Sequence, residues 1–251
     1  YVEAKGMIFL STPFSRAAAN RLEEIGVSAF KIGSGECNNY PLIDHISGFG
    51  KPIILSTGMN DVDSIRPAVE IFRRRRVNYA LLHCTSMYPT PYEKVRLGAM
   101  AELQESFPDA VLGLSDHTLT NHTCIAAVAL GASILERHFT SDKTWPGPDI
   151  NISMDPTELR DLISGSRAVF SALGGTKQIL SEEQPTIDFA YASVVTIEPV
   201  KQGEKFTMKN IWVKRPGTGQ ILAGEYQRIL GSTARNNLPR NAQLSWDDID
   251  L

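Results

Sequence analysis

His117 and His138 close two consecutive strand-like runs, residues 111–117 and 133–138, in a chain that holds only five histidines. In a parallel α/β fold the C-terminal strand edge is where ligands and chemistry collect. Two imidazoles meeting there suggest a divalent metal. Open positions suit a catalytic ion, whereas a closed structural zinc would want four protein ligands, cysteine among them. Lys31 sits inside an apolar run, a costly place for an ammonium unless it meets an anion. The hydroxyls of Thr12, Ser56 and Ser115, near the ends of other runs, suit the same anion; phosphate fits a lysine with hydroxyls. Glu36, two residues past Ser34, is a candidate acid/base group. Glu136 shares a strand face with His138, because side chains at i and i+2 point the same way.

Plainer readings stand beside these. Lys31 also fits a structural pair with a buried carboxylate. His83 reads as a satisfied or supporting core histidine, and His45 and His122 as helix-surface or pocket-edge residues. The run Arg73-Arg74-Arg75-Arg76 reads as a solvated helix C-terminus favoured by the dipole, ahead of a phosphate patch. From the residues alone the chemistry is metal-assisted and directed at a phosphorylated or anionic small molecule.

The elements that must position these groups alternate. Short apolar runs, the look of strands buried on both faces, cover 7–12, 29–34, 52–57, 79–84, 110–115 and 133–138. Helical stretches are predicted over 15–25, after Pro41, and over 61–75, 97–107, 120–130 and 156–173, with Ser15 as an N-cap. Alternating βα units mean a parallel sheet. No GxGxxG turn follows a strand, which disfavours the open doubly wound alternative. Six units are expected where a (β/α)8 TIM barrel has eight. The opening Tyr1-Val2-Glu3-Ala4-Lys5-Gly6 has no initiator Met and reads as a helix end with a Gly stop. The expected fold is therefore a barrel lacking its first two βα units, with further sequence preceding this chain. Character changes after Gly175. Residues 176–192 read as a linker between a barrel domain, 1–175, and a small mostly-β module, 193–251.

Composition narrows the class. The chain has 251 residues, 42% hydrophobic and 21% charged, with net charge −3, an ordinary globular balance that speaks against nucleic-acid binding. Cys37, Cys84 and Cys124 show no paired spacing, which fits a reducing cytoplasm. No apolar run reaches membrane-span length and no signal peptide is seen.

These stretches also carry a family resemblance. Lys31-Ile32-Gly33-Ser34-Gly35-Glu36, Ser56-Thr57-Gly58-Met59, His83-Cys84-Thr85-Ser86-Met87-Tyr88-Pro89, Gly113-Leu114-Ser115-Asp116-His117 and Glu136-Arg137-His138-Phe139-Thr140 resemble the bacterial sialic acid synthases. Lys214-Arg215-Pro216-Gly217-Thr218-Gly219 resembles the entry of their C-terminal antifreeze-like (SAF) domain. The resemblance covers the whole chain in order. It implies a transferase of sialic acid biosynthesis that condenses phosphoenolpyruvate (PEP) with N-acetylmannosamine, giving N-acetylneuraminate and phosphate. His117 and His138 would be catalytic metal ligands, for manganese or else magnesium or cobalt. Thr12, Lys31, Ser56, Ser86 and Ser115 would hold PEP, and Tyr88 and Asp149 the sugar. Glu36 matches a proposed proton-transfer residue. A domain-swapped homodimer is implied, with Arg215 and nearby Phe189 reaching the sugar of the other subunit.

Two departures matter. Ser86 stands where relatives often carry Asn. The family's first two barrel strands, which supply a glutamate and a Lys-x-Gln segment, are not in this sequence. The alternatives are a legionaminate synthase using 2,4-diacetamido-2,4,6-trideoxymannose, and a non-catalytic carbohydrate-binding protein. A metal-dependent barrel hydrolase would want further His or carboxylate ligands.

Overall fold

Strand β1 (Phe30–Ile32) shows the rule that builds the sheet. Phe30 and Ile32 are fully buried, while Lys31 between them lines a cavity on the opposite face. The same period of two runs through β2 (Ile53–Ser56), β3 (Tyr79–Cys84), β4 (Val111–Asp116) and β5 (Ile134–Arg137). Phe30, Ile53, Leu55, Tyr79, Leu81 and Leu112 form one core with residues of α1 (Arg16–Ile25), α2 (Tyr40–Ser47), α3 (Val62–Arg75) and α5 (Ala99–Ser106). The short helix α4 (Tyr92–Val95) precedes α5. Leu114 and Leu135 pack with α6 (His122–Ala129) and α7 (Pro156–Ala172) in a second cluster. Burying each of these aliphatic side chains contributes roughly 1.5–3 kcal/mol before entropy.

All five strands are parallel and ordered β1-β2-β3-β4-β5. The order never reverses, so the helices collect on one face, where an open doubly wound sheet would place them on both. The sheet is a curled half-barrel. Gly113 fixes its tightest point: a Cβ there would lie 2.3 Å from Leu82 Cδ2 and 2.5 Å from the Ile134 carbonyl oxygen.

The computed structural model describes residues 1–251, in two compact units, Tyr1–Gly174 and Gly175–Leu251. The strand predicted over 7–12 is absent. Those residues make no ladder bond, the Met7 amide donating locally to the Val2 carbonyl at 3.2 Å, and Met7, Ile8, Phe9 and Leu10 are exposed. Apolar content makes a strand only where a neighbour and a covering layer bury it, and β1 pairs with β2 alone. The helix predicted over 97–107 begins later, with α5. Helix starts follow their caps: Ser15 accepts from the Ala18 amide, and Asp61 and Asp155 form capping boxes with Ser64 and Glu158.

In the second unit, β6 (Ser193–Thr196) and β7 (Ile211–Lys214) pair antiparallel, as do β8 (Thr233–Ala234) and β9 (Ile249–Asp250). Val194, Phe206, Ile211, Ile221, Ile229 and Leu244 make its core, with Ile229 closing the short α9 (Tyr226–Ile229). Within the stretch expected as a linker lies helix α8 (Gln184–Ala190). It buries nothing, which is why its composition reads as linker. Pro185 in its first turn and a Gln184–Asp188 side-chain bond of 2.7 Å support it. The three cysteines are free and buried. No helix is long and apolar enough to cross a membrane.

Candidate active site

Each of the five parallel strands contributes one functional side chain near its C-terminal end: Lys31, Ser56, Cys84, Ser115 and Glu136. The register carries them across the sheet, Cys84 opposite Ser115 and Ser115 opposite Glu136. With Thr12, Ser86, Tyr88, His117 and His138 from the segments flanking the strands they line one cavity of about 530 Å³. That is the size of a small-molecule site, at the strand edge where such folds bind ligands.

One half of the cavity is built around Lys31. Lys31 Nζ donates to Ser56 Oγ at 2.8 Å and to the Ile32 carbonyl at 3.0 Å, and stands 3.5 Å from Glu136 Oε2. Ser115 Oγ donates to Glu136 Oε1 at 2.8 Å. Burial lowers the Lys31 pKa, and the Glu136 charge opposes that shift.

The other half is a cluster of rings. The His117 and His138 centroids are 5.3 Å apart, and Tyr88 lies 4.1 Å from His117 and 5.8 Å from His138. His117 Nδ1 is 3.1 Å from the Thr85 carbonyl oxygen. A carbonyl only accepts, so Nδ1 carries a proton, which leaves Nε2 as the nitrogen able to ligate. His138 Nδ1 faces Asp149 Oδ2 at 3.5 Å. Burial lowers the His138 pKa, with the Asp149 charge opposing, and favours the neutral, ligating form. Burial likewise raises the Tyr88 phenol.

Buried bonds hold the loops that carry these groups. Arg137 Nε stands 3.5 Å from Asp116 Oδ2, both side chains being almost wholly buried. The guanidinium also donates to the Thr120 carbonyl at 2.9 Å, to Asn121 Oδ1 at 2.7 Å and to the Thr118 carbonyl. These bonds fix the turn that follows His117. Gly58 lets the β2 loop pass close by: a Cβ there would sit 2.3 Å from Ser86 Oγ and 3.1 Å from Cys84 Sγ.

The profile of the NeuB family matches residues 1–178, and that of the SAF domain residues 191–250. The chain belongs to the NeuB family. It is 42% identical over 233 residues to the N,N'-diacetyllegionaminic acid synthase of Campylobacter jejuni, covering 91% of this chain and 69% of that protein. It is 38% identical over 215 residues to the human N-acetylneuraminate-9-phosphate synthase, covering 85% and 60%. The crystal structure of the Bacillus subtilis spore coat polysaccharide biosynthesis protein spsE matches with a TM-score of 0.67 at 33% identity, covering 100% of this chain and 75% of that one. Membership makes the chain an enzyme of the sugar-acid synthase class, transferase in type.

Within this NeuB-family chain the expected residues do not all gather. Thr12, Lys31, Ser56, Ser86, Ser115, Tyr88, His117 and His138 share the cavity, and Asp149 joins through its contact with His138. Glu36 is outside the lining, its carboxylate accepting from Asn39 Nδ2 at 2.6 Å. Phe189 and Arg215 belong to the second unit, with the guanidinium carbon 6.0 Å from the Phe189 ring centroid. There the loop after β7 is pinned by Ser193 Oγ, which donates to the Pro216 carbonyl at 2.8 Å and accepts from the Gly219 amide at 2.9 Å. Cys84 and Arg137 join the site with no role expected from the sequence, and Glu136 with none beyond sharing a strand face with His138. The inward alternation of each strand was the signal that would have found Cys84 and Glu136.

The donor set suits a divalent ion only in part. Two imidazoles with oriented rings fit it, and no group of three or more His, Cys, Asp or Glu side chains is arranged to hold one. The coordination positions beyond the two histidines would therefore belong to water and substrate, as in open catalytic sites.

Proposed function

We propose that this chain condenses PEP with an open-chain 2-acetamido sugar to give a nine-carbon sugar acid and phosphate. The reading rests on one observation: in a NeuB-family chain, a lysine with four serines and a pair of oriented histidines open into the same cavity. Lys31, Ser56, Ser115, Thr12 and Ser86 hold the phosphate and carboxylate of PEP through charge-assisted bonds. A divalent ion, manganese first and magnesium or cobalt as substitutes, would be held by His117 and His138 and supplies Lewis-acid polarisation of the sugar aldehyde. Carbon 3 of PEP attacks the aldehyde carbon, water adds at carbon 2, and phosphate leaves by C–O cleavage. Tyr88 and Asp149 orient the sugar beside the histidines, and Glu36 is kept as a proton-transfer group on resemblance alone.

N-acetylmannosamine is the first acceptor and N-acetylneuraminate the product. The second reading, N,N'-diacetyllegionaminate from 2,4-diacetamido-2,4,6-trideoxymannose, is favoured by the 42% identity to a synthase of that name. The full-length protein is offered PEP, Mn²⁺ and each sugar, and released phosphate is measured. Release with N-acetylmannosamine supports the first reading; release only with the diacetamido sugar replaces it. No release with either refutes the condensation.

Two structural proposals belong with this function. The half-barrel is part of an eight-stranded barrel in which the run 7–12 is the third strand and two further βα units come before it, a reading supported by the exposed apolar run 7–10 and by the 69–75% share of two of its relatives. Arg215 and Phe189 complete the sugar site of a second subunit in a homodimer; a molar mass by light scattering tests the dimer, and a raised KM for the sugar in Arg215→Ala tests the site.

A further inference from the structure

We infer that Glu136 is a built-in anion of the substrate site, positioning Lys31 and Ser115 and competing with the anionic substrate for both. The inference rests on the reading that the cavity takes PEP through Lys31.

A count of donors carries it. An ammonium has three protons. Lys31 commits two, to Ser56 Oγ and to its neighbour's carbonyl, and the third faces Glu136 Oε2. Ser115 has one hydroxyl proton, and it goes to Glu136 Oε1. Both donors with which these residues would greet a phosphate or carboxylate are thus committed to one internal carboxylate. A ligand oxygen that takes them must displace Glu136.

The surroundings agree. Lys31 exposes 11% of its side chain and Glu136 40%, so the lysine is fixed in the wall while the carboxylate borders open space. The ion pair with Lys31 is the only one Glu136 makes. Its neighbour Arg137, on the opposite strand face, is spent on Asp116. A lysine sunk this far is costly to keep charged and aimed in an empty site, and a replaceable carboxylate meets that cost. The same charge repels bound anion and so hastens its release.

The test measures PEP binding by calorimetry to the full-length protein with EDTA present, so that no change acts through a metal. Glu136→Gln, which keeps the shape and the bond from Ser115 but removes the charge, should bind PEP about five-fold more tightly. It should also lower the KM for PEP more than it lowers kcat. Lys31→Met should weaken binding at least about ten-fold. A merely structural Glu136 would give the opposite sign, since its loss would loosen Lys31. Unchanged or weaker binding by Glu136→Gln, with Lys31→Met still deficient, overturns the inference alone. Binding indifferent to Lys31 overturns the substrate reading, and the inference with it. A structure of the wild-type protein with PEP needs no variant: the Ser115–Glu136 bond should be broken, and its survival with PEP on Lys31 overturns the proposal.

Discussion

One hydrogen bond settles which nitrogen of His117 is free. With the Nδ1 proton on the Thr85 carbonyl, the Nε2 lone pair is the ligating one, and His138 is oriented in the same sense by Asp149. His117→Ala or His138→Ala should each cut metal-dependent turnover more than about 100-fold, measured as phosphate release against added Mn²⁺; full activity in either would refute the metal assignment. Arg137 acts at the same scale through Asp116. Arg137→Ala leaves a carboxylate buried without its cation, at a cost of about 3–5 kcal/mol, read from urea denaturation. Much of this was legible in the sequence. His83 is the satisfied core residue expected, its Nε2 donating to the Val95 carbonyl at 2.6 Å. Lys31 in an apolar run calls for an anion or a carboxylate partner, and the fold gives it Glu136. That partner lies four strands away in the sheet, and spacing along a chain says nothing about pairing across one.

At the scale of elements, helix α3 ends on its arginine run, and the run is more than a solvated cap. Arg73 binds Asp109, Arg74 and Arg75 bind Asp44, and Arg76 closes the helix in a left-handed conformation at φ 57°. Hydrogen bonds from Arg75 hold the Asp44 carboxyl at about 2, and one from Arg73 holds Asp109 at about 2, below the ordinary 3.8. Folded values below unfolded ones contribute stability above about pH 4, which is lost as pH falls toward 2. Both carboxylates are partly solvated, so each pair contributes at most about 1 kcal/mol. Melting Asp44→Asn and Asp109→Asn variants from pH 7 to 2 should show a flatter acid limb than the wild type, with a small loss at neutral pH. Gly58 makes a sharper demand, because its missing Cβ is space that Ser86 and Cys84 occupy. Gly58→Ala should cost about 1–3 kcal/mol and raise the KM for PEP, measured in one preparation by thermal melting and kinetics. The caps and periods of these elements were readable; the strand over 7–12 was not a strand, because its residues lack the neighbour that apolar composition presupposes.

At the scale of the molecule, the chain divides into two units at Gly174, the second with its own core around Phe206, Ile211 and Ile229. A unit with its own core and its own ladders should fold alone. A fragment of residues 175–251 should melt cooperatively, followed by circular dichroism; a featureless melt would show that it borrows stability from elsewhere. The change of character after Gly175 was visible as a shift to short β-type runs. Helix α8 was not, since a seven-residue exposed helix with no buried face leaves no periodic apolar trace.

The outer margin of β1 has a practical consequence. Its backbone donors and acceptors on that side meet no partner strand, and the neighbouring Met7, Ile8, Phe9 and Leu10 lie open to solvent. Such a margin recruits other copies of the same chain. Expressed by itself, without the further βα units proposed to precede it, the 251-residue polypeptide should therefore turn turbid on concentration, with a lag that shortens as protein rises and lengthens when Ile8 is replaced by lysine.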